Sequence, residues 1–478
     1  MAADLSPDLC VIGGGPGGIS AALAATAAGA SVVLVERNRT GGNNLTAGTV
    51  PSKALLAAAS MHQTLRAAPG FGVTGAPLQV NLPRVREHIE TASEAIARNV
   101  SAERLTAQGV KVVPGTARFA NPDLIAVETT AIRARHVIIA VGSVVPLPPI
   151  PGLDTAEPMS FADALELTRR PTHLIVLGAG AYALEMAQAY ARLGIDATVV
   201  DEAAALPDAD PELAAIVVDG LRAEGIGVRA GVRISEVARR RGGIRVTVTD
   251  PVEGEINIEG SHILVATTRA PDVEGLGLPA AGIEWTPAGI VVDNHLRTSN
   301  RRVFAIGDAI AGPPLAMRAR RQAEAVVASL FRRGRVQDET AMIPFVAFTD
   351  PGLASVGLTE SAARARHRDL RVLRFPFVEN DRAHIERAPA GLIKVIASPG
   401  GGHIYGAAIV GRNAGELIAP WSLAIANRLG LPAMAAFVPP YPTRAEVTGR
   451  VAGGTTPAGS GLTGQWAGRI IGLFRNLG

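Results

Sequence analysis

Three glycines near the start of the chain have the spacing of a phosphate-binding turn. Gly13, Gly15 and Gly18 follow the apolar segment LCVI and precede an alanine-rich segment, a pattern that predicts strand, tight turn and helix. The first glycine permits the turn, the second lets the backbone approach a pyrophosphate, and the third lets helix pack on strand. Glu36 ends the next predicted strand, where a carboxylate accepts hydrogen bonds from ribose hydroxyls. We therefore predict a dinucleotide site here.

The same pattern recurs in the segment HLIVLGAGAYALEMAQAYARLGIDATVVDE. Gly178, Gly180 and Ala183 form its turn, and Asp201 lies 23 residues after the first glycine, the spacing also found between Gly13 and Glu36. An acid at this position favours a free ribose 2′-hydroxyl and repels a 2′-phosphate, which predicts NADH over NADPH. Nearby arginines, including Arg192, could reverse that preference.

Composition excludes several classes of protein. Of 478 residues, 47% are apolar, 19% are charged and 4% are aromatic, with a net charge of +3, which indicates a globular chain and gives no sign of nucleic-acid binding. The single cysteine, Cys10, precludes an internal disulfide and is expected to be a buried apolar residue. Histidine spacing predicts no metal site. With no signal segment or membrane-spanning run in the sequence, we expect a cytoplasmic location.

The two strand–turn–helix–strand segments predict two dinucleotide-binding domains. From about residue 341 the pattern changes, because FVAFTDPGLASVG, LRVLRFPF, GLIKVIAS and YGAAIVG indicate antiparallel strands with helices between them. This segment predicts a separate α+β domain. The last residues begin with a Gly/Thr/Pro/Ser linker, and apolar residues recur at helical spacing over 462–477, which is compatible with peripheral membrane contact or with packing on the protein itself.

In this order, the motifs resemble those of the pyridine nucleotide–disulfide oxidoreductases over residues 7–450. IIAVGS at 138–143 is similar to the turn after the family's first domain, and VFAIGDAIAGPPLA at 303–316 to its second flavin motif, in which Asp308 would bind ribitol. The resemblance implies an α/β fold with two Rossmann-like domains of the glutathione reductase type and a C-terminal α+β dimerisation domain. It also implies FAD in the first site, NAD(H) in the second, and a homodimer.

This resemblance divides the chain into segments with separate roles. They are 1–152 for FAD, 153–272 for NAD(H), 273–340 returning to the FAD domain, 341–452 for dimerisation, and 453–478 as linker and tail. The residues expected to bind the cofactors are Gly13, Gly15, Pro16, Gly18, Glu36, Arg37, Gly42, Lys53, Ala117, Ala140, Gly142, Gly178, Gly180, Ala183, Asp201, Thr268, Asp308, Leu315 and Ala316.

The chain departs from the family at the redox pair. The family pattern places cysteines at the positions of Asn44 and Thr49, and neither of these side chains can form a disulfide. The family's catalytic histidine, donated across the dimer, falls at Tyr441, whose phenol is a poor base near neutral pH but a competent hydrogen-bond donor. Glu446 matches the glutamate that orients that histidine, so its role depends on what Tyr441 does.

The residues for hydride chemistry are retained. By the family pattern Lys53 lies beside the flavin ring and pairs with Glu185, and an ammonium there stabilises negative charge on reduced flavin. The aromatic gate found over the flavin in many relatives falls at Ala181, and Tyr182 follows it. The sequence leaves open whether the gate is missing or whether Tyr182 has taken its place.

The leading hypothesis is an FAD enzyme that oxidises NADH and passes electrons directly to a small acceptor. The acceptor would bind near Asn44, Thr49, Tyr441 and Glu446 of the two subunits, and quinones, another nicotinamide or a specialised metabolite are all candidates. Three alternatives remain: hydride exchange between nicotinamide nucleotides, favoured by Thr49 and the segment YPTRAE; a flavin-bearing sensor or scaffold; and flavin chemistry on a metabolite without NADH.

Overall fold

The computed structural model describes residues 4–75, 78–332, 334, 336 and 342–453. Its α-helices are α1 (Pro16–Ala27), α2 (Asn43–Thr46), α3 (Thr49–Ala67), α4 (Leu82–Ala97), α5 (Ala102–Ala107), α6 (Phe161–Leu165), α7 (Ala181–Arg192), α8 (Pro211–Ala223), α9 (Ala316–Phe331), α10 (Glu360–Arg366), α11 (Asp381–Ile385), α12 (Ala414–Leu417), α13 (Ala419–Ala426), α14 (Leu431–Ala435) and α15 (Glu446–Gly453). The 462–477 segment with helical spacing lies outside the described residues.

The strands are β1 (Asp4–Leu5), β2 (Leu9–Ile12), β3 (Val32–Glu36), β4 (Val110–Pro114), β5 (Ala117–Asn121), β6 (Leu124–Val127), β7 (Thr130–Ile132), β8 (His136–Ile139), β9 (Ser143–Val144), β10 (His173–Leu177), β11 (Asp196–Asp201), β12 (Gly227–Ala230), β13 (Arg233–Arg240), β14 (Gly243–Asp250), β15 (Gly254–Gly260), β16 (His262–Val265), β17 (Ala270–Pro271), β18 (Trp285–Thr286), β19 (Gly289–Ile290), β20 (Val303–Ala305), β21 (Phe345–Ala347), β22 (Gly352–Gly357), β23 (Arg371–Pro376), β24 (Leu392–Ala397) and β25 (Ile404–Gly411).

The chain divides into two compact units. The first contains residues up to 205 and residues 224–340, and the second contains residues 206–223 and those from 341 onward. Helix α8 therefore belongs to the second unit, although the residues before and after this stretch of sequence belong to the first unit.

The first unit contains two parallel sheets, each built on one of the glycine motifs. One has the strand order β20-β8-β2-β3-β4, and the other has the order β12-β11-β10-β16. The central strand β2 of the first sheet is buried at every residue, and the inner strand β10 of the second is buried at all residues after His173, because parallel sheets are covered on both faces and need continuous apolar runs. Cys10 is fully buried in β2, as predicted, and burial raises the pKa of its thiol to about 12.

The second unit is built on one antiparallel sheet with the strand order β21-β22-β25-β24-β23. Its inner face packs on a core that includes Trp421, Phe377 and Ile409, all fully buried. This confirms the antiparallel α+β domain predicted after residue 341. Together with the two parallel sheets of the first unit, it confirms the predicted fold class.

A buried lysine in the second unit joins α8 to the sheet. Lys394 on β24 is 4% exposed, and its Nζ lies 2.7 Å from Asp210, 2.9 Å from Glu212 and 2.7 Å from Glu360. Arg374 on β23 also donates to Glu212 and Glu360. Hydrogen bonds from Arg374 and then Lys394 lower the pKa of Glu212 to about 2, against the opposing effect of burial. The network holds α8 against β23 and β24 through ion pairs that two cations make with three carboxylates.

No helix in the described ranges is both long enough and apolar enough to cross a lipid bilayer.

We predict that Lys394→Met destabilises the protein by about 3 kcal/mol, because it leaves the carboxylate of Asp210 buried without its ammonium partner. Thermal unfolding of the full chain, followed by far-UV circular dichroism, measures the loss. Lys111→Met is the matched control, since Lys111 is exposed, and it should cost less than about 0.5 kcal/mol.

The difference between wild type and Lys394→Met should also depend on pH. Because the folded pKa of Glu212 lies near 2 and its ordinary value is 4.5, the stability that ionised Glu212 adds is complete above pH 4.5 and lost as pH falls toward 2. The gap between the two proteins should narrow over that window. A gap independent of pH would show that Lys394 adds no stability through the ionised form of Glu212.

Candidate active site

A cleft in the first unit brings together most of the residues that the sequence singled out. It has a volume of about 390 Å³. The sequence-predicted residues that line it are Gly13, Gly15, Pro16, Glu36, Arg37, Gly42, Asn44, Thr49, Ala117, Ala140, Gly142, Asp308 and Ala316. Leu315 lies between two lining residues, and Gly18 packs beneath the turn.

The turn between β2 and α1 requires its glycines for different reasons. Gly13 has a φ of +105°, and a Cβ there would overlap the carbonyl oxygen of Ala140. A Cβ at Gly18 would overlap the carbonyl oxygen of Gly13, whereas one at Gly15 would meet no protein atom. The space beside Gly15 is therefore open toward the cleft, at the N-terminus of α1, where free N–H groups favour a phosphate.

Glu36 holds this turn in place. Its Oε2 accepts a hydrogen bond of 2.6 Å from the N–H of Gly14, and its Oε1 accepts one of 2.8 Å from Asn38. A carboxylate has about four acceptor positions, so Glu36 can bind the turn and still accept from a ribose hydroxyl. The sequence indicated only the second of these roles.

The second glycine motif repeats the geometry of the first. Gly178 has a φ of +114°, and a Cβ at Gly180 would meet no protein atom. Asp201 accepts a hydrogen bond of 2.6 Å from Ala179, the counterpart of the bond between Glu36 and Gly14. Ala183 is fully buried against the sheet. The two folds thus present equivalent open glycines and equivalent acids to a dinucleotide.

Asp308 is held by residues that sequence reasoning did not identify. The hydroxyl of Ser143 donates to Asp308 Oδ2 at 2.7 Å and accepts from Arg269 Nε at 2.8 Å. The Ser143 carbonyl oxygen accepts from Arg269 and from Asn43, each at 2.7 Å. Arg269 follows the predicted Thr268, but its partner lies 126 residues away in sequence, so spacing could not reveal the contact.

The ion pair implied by the family resemblance is present between α3 and α7. Lys53 Nζ lies 2.5 Å from Glu185 Oε2, and the Glu185 side chain is 1% exposed. A carboxylate so far removed from water requires a paired cation, because an isolated buried charge is strongly unfavourable. The pair therefore fixes the first turns of both helices relative to each other.

Tyr182 lies at the same end of the cleft. Its hydroxyl is 3.0 Å from Thr49 Oγ1, and Lys53 Nζ is 4.9 Å from its ring centroid. Phe161 contacts the ring edge-to-face at 5.8 Å. The sequence left the role of Tyr182 open, and the structure places it in the cleft lining beside Thr49. Asn44 and Thr49, at the positions where the family resemblance places cysteines, line the cleft with a carboxamide and a hydroxyl.

Tyr441 and Glu446 belong to the second unit. The Tyr441 hydroxyl donates to Asp381 Oδ2 at 2.9 Å, and this hydrogen bond raises the pKa of the phenol. Glu446 Oε1 accepts a hydrogen bond from the N–H of Thr443 at 3.1 Å. In this structure, therefore, the tyrosine is oriented by Asp381, while Glu446 supports the turn that follows it.

The described residues contain no group of three or more His, Cys, Asp or Glu side chains placed to hold a metal ion. The open glycines, the helix N-termini and the two acids instead fit dinucleotides. Gly15 and Gly180 leave room where a Cβ would project, and N–H groups and carboxylates supply the donors and acceptors that pyrophosphate and ribose need.

Comparison with known proteins agrees with this reading of the site. The family model for pyridine nucleotide-disulphide oxidoreductases matches residues 7–323, and the model for that family's dimerisation domain matches residues 343–452. The chain therefore belongs to the pyridine nucleotide-disulphide oxidoreductase family. Its members are FAD- and NAD(P)-dependent oxidoreductases, which confirms the family and cofactors predicted from the sequence.

Individual relatives match nearly the whole chain. A mercuric reductase of Streptomyces lividans is 36% identical over 451 residues, which cover 92% of this chain and 94% of that protein. A mitochondrial dihydrolipoyl dehydrogenase of Pisum sativum is 33% identical over 450 residues, covering 92% and 89%. The crystal structure of LpdA from Mycobacterium tuberculosis has a TM-score of 0.85 at 26% identity, covering 95% of this chain and 100% of that one.

We predict that Gly15→Ala and Gly180→Ala have reciprocal effects on the binding of FAD and NADH. Both positions have negative φ and no protein atom near the added Cβ, so both variants should fold. Gly15→Ala should weaken FAD binding by at least about tenfold with little effect on the second site, because the methyl group projects toward the pyrophosphate. Gly180→Ala should retain FAD and weaken NADH binding by a similar factor.

FAD content after gel filtration and NADH affinity by calorimetry measure the two effects, and each variant serves as the other's control. Full FAD occupancy in Gly15→Ala would contradict the prediction that the first glycine turn binds FAD.

Proposed function

We propose that this chain is a flavoenzyme that oxidises NADH and passes electrons from FAD directly to a small acceptor other than a disulfide. The observation that carries the proposal is the lining of the cleft, where Asn44 and Thr49 stand at the positions of the family's redox cysteines. The one cysteine of the chain, Cys10, is buried in β2. Neither an amide nor a hydroxyl can relay electrons as a thiol pair does, so the acceptor has to meet the flavin directly.

FAD, when bound, would supply a two-electron carrier between NADH and the acceptor. The chain's own residues would bind and orient it. The open backbone at Gly15 admits the pyrophosphate, Asp308 is positioned to accept from ribitol, and Lys53 is held by Glu185 so that its ammonium can stabilise negative charge on the reduced ring. The low exposure of Glu185 strengthens its hold on the Lys53 ammonium, because opposite charges attract more strongly away from water.

The preference for NADH rests on Asp201. Its carboxylate is fixed at the second turn by Ala179 and Ala203, close to where a 2′-phosphate would have to bind. Arg192, one of the nearby arginines that could offset that repulsion, is 5% exposed and pairs with Glu224 at 2.6 Å. Because its guanidinium is engaged there, the negative charge of Asp201 should dominate the choice of nucleotide.

Asp201→Asn should lower the NADH-to-NADPH ratio of kcat/KM about tenfold, because it removes the repulsive charge while keeping an oxygen for the turn. Stopped-flow measurement of flavin bleaching by each nucleotide gives the ratio. Glu202→Gln is a matched control, since Glu202 is the neighbouring acid but accepts from Ile234. An equal change in both variants would mean that general charge, and not the position of Asp201, sets the preference.

Anaerobic mixing tests the function itself. NADH should bleach the flavin, and reoxidation should then be fast with a quinone and at least about a hundredfold slower with glutathione disulfide or lipoamide, since the chain has no thiol pair to reduce them. Flavin that stays yellow in the presence of NADH would contradict the proposal. So would reoxidation by disulfides at the rate seen with the quinone.

The same experiment separates the alternatives. Rapid hydride transfer to an NADP analogue would favour nucleotide exchange, which Thr49 and the segment YPTRAE support by resemblance. Slow reoxidation by every acceptor, together with a co-purifying protein, would favour a sensor or scaffold. Bleaching by a metabolite and not by NADH would favour flavin chemistry on that metabolite.

We also propose that the chain forms a homodimer through the dimerisation domain matched at residues 343–452. The second unit exposes several large apolar side chains, which is typical of a surface that a partner covers. They are Val378, Ile385, Leu423, Val438 and Tyr441. A mass in solution equal to one chain would contradict this. The catalytic roles of Tyr441 and Glu446, the membrane contact of 462–477 and the cytoplasmic location stay predictions.

A further inference from the structure

Two hydroxyl groups meet at one end of the cleft. Thr49 is the first residue of α3 and Tyr182 the second residue of α7, and their oxygens are 3.0 Å apart. Both side chains line the cleft. They lie 133 residues apart in sequence, and the contact depends on the packing of the two helices that the Lys53–Glu185 ion pair joins.

The Thr49–Tyr182 pair carries two hydroxyl protons, and the hydrogen bond between the two residues uses only one of them. Each hydroxyl can donate one hydrogen bond and accept two, and either one can be the donor in this contact. Whichever hydroxyl accepts therefore keeps its own O–H. Within the described residues the only side-chain hydrogen bond of either group is the one to the other. The pair thus offers the cleft one O–H donor, polarised by the first hydrogen bond.

The surroundings of the pair favour an oxygen that gains negative charge. The ammonium of Lys53 lies 4.9 Å from the Tyr182 ring centroid, and Phe161 holds that ring edge-to-face. An O–H donor with a cation behind it is the arrangement that stabilises a developing oxyanion. Asn44 adds a neutral carboxamide to the same lining.

We propose that the hydroxyl pair of Thr49 and Tyr182 binds a carbonyl oxygen of a quinone-type electron acceptor. This rests on the proposed function, and it names the acceptor class and the residues that recognise it. In the overall reaction NADH gives up a hydride, and the quinone takes up that hydride and one proton from water, yielding NAD⁺ and a hydroquinone. The hydroxyl pair donates a hydrogen bond to the oxygen on which negative charge accumulates.

Other acceptor classes fit the pair less well. A soft metal ion requires thiolate or thioether ligands, and the lining near Thr49 offers hydroxyl and amide groups beside an ammonium. An oxidised nicotinamide loses positive charge on reduction and develops no oxyanion, so the donor and the cation would not favour its reduction. A quinone develops negative charge on its carbonyl oxygen during reduction, so its reduction benefits from both the hydroxyl donor and the nearby cation.

The shared donor predicts that the single variants of Thr49 and Tyr182 lose little affinity for 1,4-naphthoquinone, whereas the double variant loses much more. Thr49→Val and Tyr182→Phe each leave one hydroxyl, which can still donate to the acceptor, so each should weaken 1,4-naphthoquinone binding only about threefold. The double variant has no donor and should weaken it by about thirtyfold or more, beyond the product of the single effects. Thr49→Ser in the Tyr182→Phe background should keep binding near that of Tyr182→Phe.

Calorimetric titration of the oxidised holoenzyme with 1,4-naphthoquinone, without NADH, measures binding independently of turnover. The pseudo-first-order rate of flavin reoxidation by the same quinone should fall in parallel. FAD content should stay within about twofold of wild type in all variants, showing that they fold. Reoxidation is timed only after the flavin has been fully reduced, so a change in the rate of bleaching by NADH does not enter the quinone measurement. Thr64→Val combined with Tyr405→Phe is the matched control, because Thr64 is exposed on α3 and Tyr405 belongs to the second unit.

The outcomes separate this inference from the function on which it rests. Wild-type flavin that NADH does not bleach, or that no acceptor reoxidises, would overturn the proposed function. If wild type reacts with both NADH and the quinone, but the double variant binds the quinone as wild type does, the function stands and this inference is wrong. Loss of binding that is simply the product of the two single effects also overturns the shared-donor arrangement.

Discussion

The arrangement of the site depends on one buried ion pair. Glu185 is 1% exposed on α7, and its charge is tolerable because Lys53, on α3, lies 2.5 Å away. Those helices begin in different dinucleotide folds, α3 after the first glycine motif and α7 within the second. The pair therefore does two things: it holds an ammonium 4.9 Å from the ring centroid of Tyr182, which lines the cleft, and it sets the positions of the helix starts that carry Thr49 and Tyr182. The polar groups nearby are oriented by contacts with residues of this pair or with each other.

The two dinucleotide folds share the same local arrangement of glycines and an acid at the turn. In each, a glycine with positive φ lets the chain turn under a neighbouring carbonyl, and a second glycine leaves open space at a helix N-terminus. In each, an acid at the end of the next strand accepts a hydrogen bond from the turn, Glu36 from Gly14 and Asp201 from Ala179. Each acid thus stabilises the glycine loop directly, in addition to the ribose contact that its position predicts. Because of their hydrogen bonds with the turns, Glu36 and Asp201 are structural residues even before a nucleotide binds.

At the two positions where the family resemblance places redox cysteines, the cleft carries side chains that cannot form a disulfide. Asn44 and Thr49 are neutral and hydrogen-bonding, and the Thr49 hydroxyl lies 3.0 Å from that of Tyr182. A thiol pair acts by breaking and forming a covalent bond. Hydroxyl and amide groups can only bind, orient and share protons. Under the proposed function, this end of the cleft therefore recognises the acceptor, and the electrons pass to it from the flavin itself.

The sequence alone determined the features that depend on local spacing. The glycine motifs, their acids and the change to antiparallel strands near residue 341 could all be identified from neighbouring residues, and with the family resemblance they led to the fold and the cofactors. The Lys53–Glu185 pair and the departure from cysteine at Asn44 and Thr49 were expected only through that resemblance. The contacts of Arg269 with Ser143 and of Tyr182 with Thr49 join residues 126 and 133 positions apart, and α8 is held in the second unit by Lys394. Only the tertiary structure decided these, because such contacts are set by how distant helices and strands pack, and no local periodicity encodes which polar side chains will face each other there.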